Sequence, residues 1–277
     1  MSFRFFLPLL SYPDATPRAG LLRAFDMAAT MGGEITAVVH EVDIPDIHNA
    51  LADALIDLRG MIAAAEAKSH ASAGELVEEV NQLGRRFQLR LLLHPARTRP
   101  DTTADYLARF ARTFDYALLI PAGHSDDQVA IAEAILFGSG GPAFVFPDLE
   151  ATAHLESAAI AWDGSRAAAR AVRDALPVLK MVKRATVLTV SDDKPIDQTS
   201  VRAVRDLLQH HEIESAHTEL ALADQSVGDA LQQAAVDGGA GLLVMGAYGH
   251  NRIREFVLGG ATRTVLANRR LPILMSH

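Results

Sequence analysis

The segment that decides the fold is Leu-Leu-Val-Met-Gly-Ala-Tyr-Gly-His at residues 242–250, followed by Gly-Gly-Ala-Thr at residues 259–262. Its apolar start has the length of a buried strand, and Gly246 lets the chain turn sharply where that strand ends. The Gly259-Gly260 pair then opens the next helix. Backbone N–H groups at a helix start, with the positive end of the helix dipole, can bind an anion such as phosphate. The pattern predicts a strand, a turn and a helix, and the turn is either an anion site or only a tight connection.

An internal repeat places the same element earlier in the chain. Residues 102–120 align without a gap on residues 226–244 at a constant offset of 124, so that Leu118 matches Leu242. Near the start of each half, an apolar strand also leads to an aspartate, Asp14 or Asp163, and an alanine-rich helix follows. The shared order of elements predicts two copies of one fold.

The second half alternates between short apolar segments and helical segments. We predict strands at 158–162, 185–190, 214–220, 241–245 and 272–275, separated by helices at 165–179, 198–210, 226–238 and 260–268. In the third of these helices one face is apolar, formed by Val227, Ala230, Leu231, Ala234 and Ala235. Short apolar strands between such helices predict an α/β fold with a doubly wound, Rossmann-like parallel sheet. Ligands are then expected at the carboxyl ends of the strands.

The first half carries a longer segment between its second and third strands. Residues 47–83 predict one or two helices, with breaks at Gly74 and Gly84. Polar residues near 147–156 mark the boundary between the halves. We therefore expect two domains, one at 1–149 that contains the helical insertion and one at 156–277 that contains the glycine motif.

Composition narrows the class of protein. The chain has 277 residues, of which 49% are apolar, which suits two globular domains with sizeable cores. No apolar run is long enough to span a bilayer, and the first residues do not resemble a secretory leader. The absence of cysteine excludes disulfides, zinc–thiolate sites and thiol nucleophiles. We expect a cytoplasmic protein that does not cross a membrane.

The charges are distributed unevenly along the chain. The net charge of −8 argues against binding of nucleic acid through neutralised phosphates. Residues 1–150 contain 12 Lys and Arg against 20 Asp and Glu, whereas residues 151–277 contain 14 of each kind. Five arginines follow residue 250: Arg252, Arg254, Arg263, Arg269 and Arg270. An anionic ligand is therefore expected to prefer the second half.

The glycines at 246–260 resemble the nucleotide motif of the universal stress protein family. In that motif Gly, two residues, Gly, nine residues and Gly precede Ser or Thr. Gly246, Gly249 and Gly259 match that pattern, and Asp163 matches the strand-end acid of the family. Gly260 departs from it, because it stands where the family has a hydroxyl residue. The chain is identified as a tandem member of the family, with two copies that cover essentially its whole length.

The resemblance implies ATP or AMP as the ligand, with or without Mg²⁺, and two domains packed as a pseudo-dimer. It places Asp163 and Gly246 near the ribose and the backbone near Val190 at the adenine. A second group would face the phosphates: Gly249, Gly259, Gly260 and Ala261. His250 and Thr262 are further candidates for contacts with the nucleotide. An aspartate at a strand end can accept two hydroxyl hydrogen bonds, although Asp163 equally suits the N-cap position of the following helix.

The first half lacks the motif. By the offset of 124, Ala122 and Ser125 stand where the second half has Gly246 and Gly249. The glycine cluster at 138–141 predicts a turn or a weak anion site. We interpret the first half as a structural or regulatory partner and expect any nucleotide in the second half alone.

Other polar patterns indicate neither catalysis nor a metal site. His210, His211 and His217 lack the spacing of a helical pair of metal ligands. The nucleophile-elbow and Walker patterns are absent. The polar run at 123–127 is interpreted as a loop and Trp162 as a core strand residue.

The sequence therefore predicts a stress-response protein that binds adenine nucleotide in its second domain and acts by binding or regulation. One alternative, favoured by Gly260, is a nucleotide-free protein that acts through protein partners. A second is a slow ATP hydrolase assisted by His250 or Asp163. The apolar strands near 143–146 and 273–275 are expected to be covered inside a pseudo-dimer, and a homodimer is a further option.

Overall fold

The computed structural model describes residues 2–45, 57–123, 125–147, 155–191, 196–222, 224–247 and 260–277. Within these ranges the chain forms ten strands and eight helices. It divides into two compact units, Met1–Ser139 and Gly140–His277. None of the described helices is long and apolar enough to cross a membrane.

The first unit is built on four parallel strands that stand in the order β3-β2-β1-β4. Its elements are β1 (Phe3–Leu10), α1 (Arg18–Met31), β2 (Gly33–Val42), α2 (Leu58–Phe87), β3 (Leu91–Thr98), α3 (Pro100–Ala111), β4 (Tyr116–Leu119) and α4 (Asp126–Gly138). The chain moves outward from β1 through β2 to β3 and then returns to the other side of β1. The strand order therefore reverses between β1 and β4.

The second unit repeats this arrangement with two additional strands, in the order β5-β10-β9-β6-β7-β8. Its elements are β5 (Ala143–Val145), β6 (Ser157–Ala161), α5 (Arg166–Leu179), β7 (Arg184–Val190), α6 (Gln198–His210), β8 (Ser215–Leu220), α7 (Val227–Asp237), β9 (Leu242–Gly246), α8 (Gly260–Ala267) and β10 (Ile273–Ser276). The strands from β6 to β10 are parallel. Here the order reverses between β6 and β9.

The elements of the second half begin and end within one residue of the predicted bounds. The reason is the regular burial of apolar side chains on each helix. In α5 the buried positions follow the helical period, at Ala168, Ala171, Val172 and Ala175. The predicted α/β class with a mainly parallel sheet is confirmed.

Helix α2 runs without interruption through Gly74 and Gly84, so the two predicted breaks are wrong. The helix buries a continuous stripe against the sheet, which includes Ala73, Leu76 and Val80. A Cβ at Gly84 would lie 3.5 Å from the side chain of Leu91. The burial of this stripe outweighs the helix-propensity cost of a glycine, which is about 1 kcal/mol.

The apolar strands predicted near 143–146 and 273–275, which would otherwise be exposed edges, pair with each other. Strand β5 runs antiparallel to β10, with Phe144 opposite Leu274, and both strands lie in the second unit. Their polar edges are therefore hydrogen-bonded. The packing of the two units as a pseudo-dimer stays a prediction.

Candidate functional site

The ends of two neighbouring strands define the candidate site in the second unit. Strands β6 and β9 pair in parallel, with Ile160 opposite Val244, at the point where the strand order reverses. Asp163 follows β6 by two residues, and Gly246 is the last residue of β9. At such a reversal the two connections leave in opposite directions and open a crevice at the carboxyl ends of the strands. Two of the predicted site residues therefore lie at adjacent strand ends.

Asp163, Gly164 and Ser165 form the turn between β6 and α5. Oδ1 of Asp163 accepts a hydrogen bond from the N–H of Ser165 at 2.9 Å, and Oγ of Ser165 accepts one from the N–H of Ala168 at 3.1 Å. Ser165 is therefore the N-cap of α5, and the alternative that gave this role to Asp163 is wrong. The turn requires a φ of +75° at Gly164, which glycine adopts without strain. Asp163 is exposed, and within the described part of the chain its Oδ2 makes no hydrogen bond.

Gly246 lies against the first turn of α5. A Cβ at this position would lie 2.5 Å from the carbonyl carbon of Ala167 and 2.6 Å from the nitrogen of Ala168. Such distances are shorter than any van der Waals contact, so only glycine allows the end of β9 to approach the start of α5 this closely. The first glycine of the motif has a packing role that does not depend on a ligand.

Two further residues lie at the ends of neighbouring strands. Val190 is the last residue of β7, and Trp162 directly follows β6. Val190 lies opposite Leu220 of β8, and its side chain is half-buried. Trp162 lies just beyond β6 and is only partly buried, so its prediction as a core strand residue is wrong. Its indole N–H donates to Oγ of Ser200 at 2.9 Å. A polar partner of this kind is what a partly buried indole N–H requires.

The phosphate side of the predicted site lies mostly outside the described residues. Gly249, His250 and Gly259 all belong to residues 248–259. Helix α8 begins at Gly260, as predicted, and Ala261 and Thr262 belong to its first turn. Thr262 is buried.

Two of the arginines that predicted an anion preference bind protein groups instead. Arg269 is buried, and its Nε donates to the carbonyl oxygen of Phe146 at 3.0 Å. Arg270 donates to the side chain of Gln233 and lies 3.7 Å from the carboxylate of Asp229. Arg269 and Arg270 thus contact protein groups, and the preference of an anionic ligand for the second half stays a prediction.

His210, His211 and His217 make contacts within the protein. The rings of His210 and His211 lie edge to face at 5.3 Å, and Nε2 of His217 pairs with Oγ1 of Thr189 at 2.9 Å. Among the residues that the structure describes, no group of three or more His, Asp or Glu side chains is placed to hold a metal ion.

The equivalent crevice in the first unit, between the ends of β1 and β4, is closed by Gln128. This side chain of α4 is 2% exposed. Its Nε2 donates to the carbonyl oxygen of Asp14 at 2.7 Å, and its Oε1 accepts from the N–H of Ala122 at 2.8 Å. Gln128 thus binds both strand ends, a role that the sequence analysis missed. One feature of the sequence could have indicated this role: Gln128 directly precedes the apolar residues of α4.

Helix α2 pairs the remaining polar groups at this edge of the first unit. Oγ of Ser69 accepts from the N–H of Val42 at 2.9 Å and donates to Oγ of Ser11 at 2.7 Å. Ser11 in turn donates to the carbonyl oxygen of His40 at 2.6 Å. Both serines are fully buried. The N–H of Val42 and the carbonyl oxygen of His40, at the end of β2, are therefore hydrogen-bonded within the protein.

Comparison with known proteins identifies a family by sequence in the second half and shows a similar fold over the whole chain. The profile of the universal stress protein family matches residues 157–277. A universal stress protein from Archaeoglobus fulgidus DSM 4304 superimposes with a TM-score of 0.69 at 18% identity, covering 99% of this chain and 97% of that one. A protein assigned to the same family from Pseudomonas aeruginosa UCBPP-PA14 gives a TM-score of 0.54 at 13% identity, covering 99% and 93%.

Among curated protein sequences, none matches the chain significantly. The structural similarities lie at low identity and show the fold, whereas the profile match identifies the second half by sequence. The chain therefore contains a universal stress protein domain in residues 157–277, and at about twice the size of one such domain it has the proportions of a tandem member of that family.

Proposed function

We propose that the second unit binds an adenine nucleotide, ATP or AMP, at the carboxyl ends of β6 and β9, and that the protein acts in the stress response through this binding rather than through turnover. The observation that carries the proposal is the position of Asp163 and Gly246 at the strand reversal. Crevices of this kind are where open α/β sheets bind nucleotides.

The polar groups of the crevice suit a ribose. Asp163 is exposed and directs one carboxylate oxygen into the turn, which leaves Oδ2 as an acceptor for a sugar hydroxyl. The turn is held by Ser165 and Gly164, so the carboxylate keeps its place without a ligand. The end of β7 at Val190 would supply the backbone against which the adenine lies.

The start of α8 suits the phosphates. Its first residue is Gly260, and free N–H groups at a helix start favour an anion. Because Gly260 carries no hydroxyl, backbone N–H groups rather than a side chain would hold the phosphates. The glycine motif at Gly249 and Gly259, with His250, Ala261 and Thr262, completes the proposed contacts. Mg²⁺ would enter with ATP as a phosphate-bound ion.

The first unit is not proposed to bind nucleotide. Gln128 and Ser69 already pair the polar groups at the ends of its strands, and both are buried. A nucleotide would have to displace two buried side chains, each of which makes two hydrogen bonds. We therefore expect one nucleotide per chain.

Calorimetric titration of the purified chain with ATP and with AMP tests this proposal. Wild type should bind one equivalent. Asp163→Asn keeps an oxygen for the N–H of Ser165 but replaces the second, charged acceptor with an amide nitrogen. Loss of this charge-assisted hydrogen bond should weaken binding about tenfold. The matched variant Asp14→Asn in the first unit should bind as wild type does.

Three results would change the conclusion. Two equal sites per chain, or equal losses in Asp163→Asn and Asp14→Asn, would contradict a site confined to the second unit. Absence of any nucleotide binding by the folded wild type would replace the proposal with a role through protein partners. Release of phosphate over many turnovers would identify an ATP hydrolase.

A further inference from the structure

A cavity of about 460 Å³ lies in the second unit, between α7 and strands β6, β7 and β8. Its walls consist mainly of small side chains, including Ala158, Ala159, Ala234 and Ala235. A volume of this size falls in the range of small-molecule sites. It is open to solvent beside α7, where Asp237 and Gly238 on its wall are exposed.

The first unit fills the same place with aromatic rings. The offset of 124 matches Ala234 with Phe110 and Gly238 with Phe114. Strand register supplies a third match. Phe6 lies opposite Ala117 in β4. The counterpart of Ala117 is Gly241, which donates its N–H to the carbonyl oxygen of Ser157. Phe6 of the first unit therefore corresponds to Ser157 of the second.

The three rings of the first unit contact one another. Phe6 lies 5.8 Å from Phe110 and 5.7 Å from Phe114, and Phe110 and Phe114 lie 5.7 Å apart between ring centroids. Phe6 is fully buried. In the second unit the corresponding residues are serine, alanine and glycine, and each of them lines the cavity. The cavity therefore has the place and approximate shape of an aromatic cluster without its rings.

One basic side chain, Arg184, lies at the rim of the cavity and favours a negatively charged ligand. Arg184, the first residue of β7, is exposed and lines the cavity, and within the described part of the chain its guanidinium has no hydrogen-bond or ion-pair partner. Asp237 of α7 also lines the cavity, and its carboxylate is held by a hydrogen bond from Nε2 of Gln233 at 2.7 Å. A guanidinium matches a carboxylate or sulfonate in shape and charge.

We propose that the second unit binds a small aromatic acid in this cavity, with two or three rings between α7 and the sheet and a carboxylate or sulfonate on Arg184. The cavity extends along β7 from Arg184 to Leu188, and neither Asp163 nor Gly246 is among the residues that line it. The site is therefore separate from the proposed nucleotide site and does not depend on it.

Titration with the fluorescent probe anilinonaphthalene sulfonate, in the presence and absence of ATP, tests the site. Wild type should bind one equivalent, and ATP should not displace it. Ala234→Phe restores the ring found in the first unit and should weaken binding by at least about tenfold, because the probe and the new side chain compete for one volume. Arg184→Gln should weaken binding severalfold and reduce its dependence on salt.

Matched variants separate occupation of the cavity from general effects. Ala203→Phe places the same side chain on an exposed position of α6 and should leave the probe affinity unchanged. Ala234→Phe should also raise the melting temperature, because it fills empty space. If that variant does not fold, Ala234→Leu provides the same comparison with a smaller side chain. Equal probe affinity in the Ala234 variants, in Ala203→Phe and in wild type, or displacement of the probe by ATP, would overturn the proposal.

Discussion

The two units arrange the same elements around differently filled interiors. In the first unit, buried polar side chains of α2 and α4 occupy the carboxyl ends of the strands, and aromatic rings fill the space beneath α3. In the second unit, serine, alanine and glycine stand at the positions of these rings, and a cavity lies beside them. The comparison teaches that the fold needs only the apolar periodicity of its helices and strands. Whether a copy is filled or left open is decided by a few residues outside that pattern.

The largest difference should appear when the aromatic filling is removed. Phe6 is fully buried and contacts both Phe110 and Phe114, so Phe6→Ala should lower the free energy of unfolding of the first unit by about 4 kcal/mol. The matched change Ser157→Ala removes only a 2.8 Å hydrogen bond to the carbonyl oxygen of Gly239 and should cost about 1 kcal/mol.

Urea denaturation of the full chain, followed by circular dichroism, measures both variants of this pair. Losses of equal size would show that the second unit is packed as tightly as the first at this position. In that case the contrast between a filled and an open interior would be wrong.

A second, smaller difference concerns the first glycine of the motif. Gly246→Ala places a Cβ 2.5 Å from the backbone of Ala167, so α5 or β9 must shift, at a cost of about 2 kcal/mol. The reverse exchange in the first unit, Ala122→Gly, creates no clash and should cost about 1 kcal/mol or less. Thermal unfolding of the two variants gives the comparison. A Gly246→Ala protein as stable as Ala122→Gly would show that α5 and β9 are not as closely packed as the structure indicates.

The regular parts of the molecule could be predicted from the sequence. Each helix of the second half carries an apolar stripe of helical period, and each strand is a short apolar run, so these local patterns set the element bounds. The offset of 124 related the two halves without any structure. The resemblance to the family brought Asp163 and Gly246 together, and the pairing of β6 with β9 places their strand ends side by side.

The contents of the two interiors could not be predicted in the same way. Gln128 closes the first crevice by reaching Asp14, a residue 114 positions away in the chain, and no local pattern encodes such a contact. The breaks predicted in α2 were wrong for a similar reason, since long-range burial outweighs the propensity of single glycines. The cavity beside Ala234 could not be predicted either, because the match of Ser157 with Phe6 depends on strand register.

The smallest difference concerns a titratable group that only the first unit buries. His40 of β2 is 3% exposed, and its Nε2 lies 2.7 Å from Oγ1 of Thr98 and 3.2 Å from Oγ1 of Thr103. Burial lowers the pKa of His40, and this is only partly opposed by Thr98 and the nearby charge of Glu41. By strand register the second unit has Leu188 at the corresponding position, which does not titrate.

Because the pKa of His40 is lower in the folded chain than in the unfolded chain, the unfolded chain binds more protons as the solution becomes acidic. The stability contributed by neutral His40 should be complete above about pH 6.5 and should be lost progressively as the pH falls from there toward the lowered pKa. His40→Leu, which copies the second unit, should therefore unfold at a temperature that changes less between pH 7 and pH 5 than that of wild type. The absolute stability of the variant does not decide the matter, since Thr98 and Thr103 lose a partner, and the slope against pH is the quantity to compare. Parallel curves for His40→Leu and wild type would show that the imidazole is not kept neutral by its burial, and this contrast between the two units would then be absent.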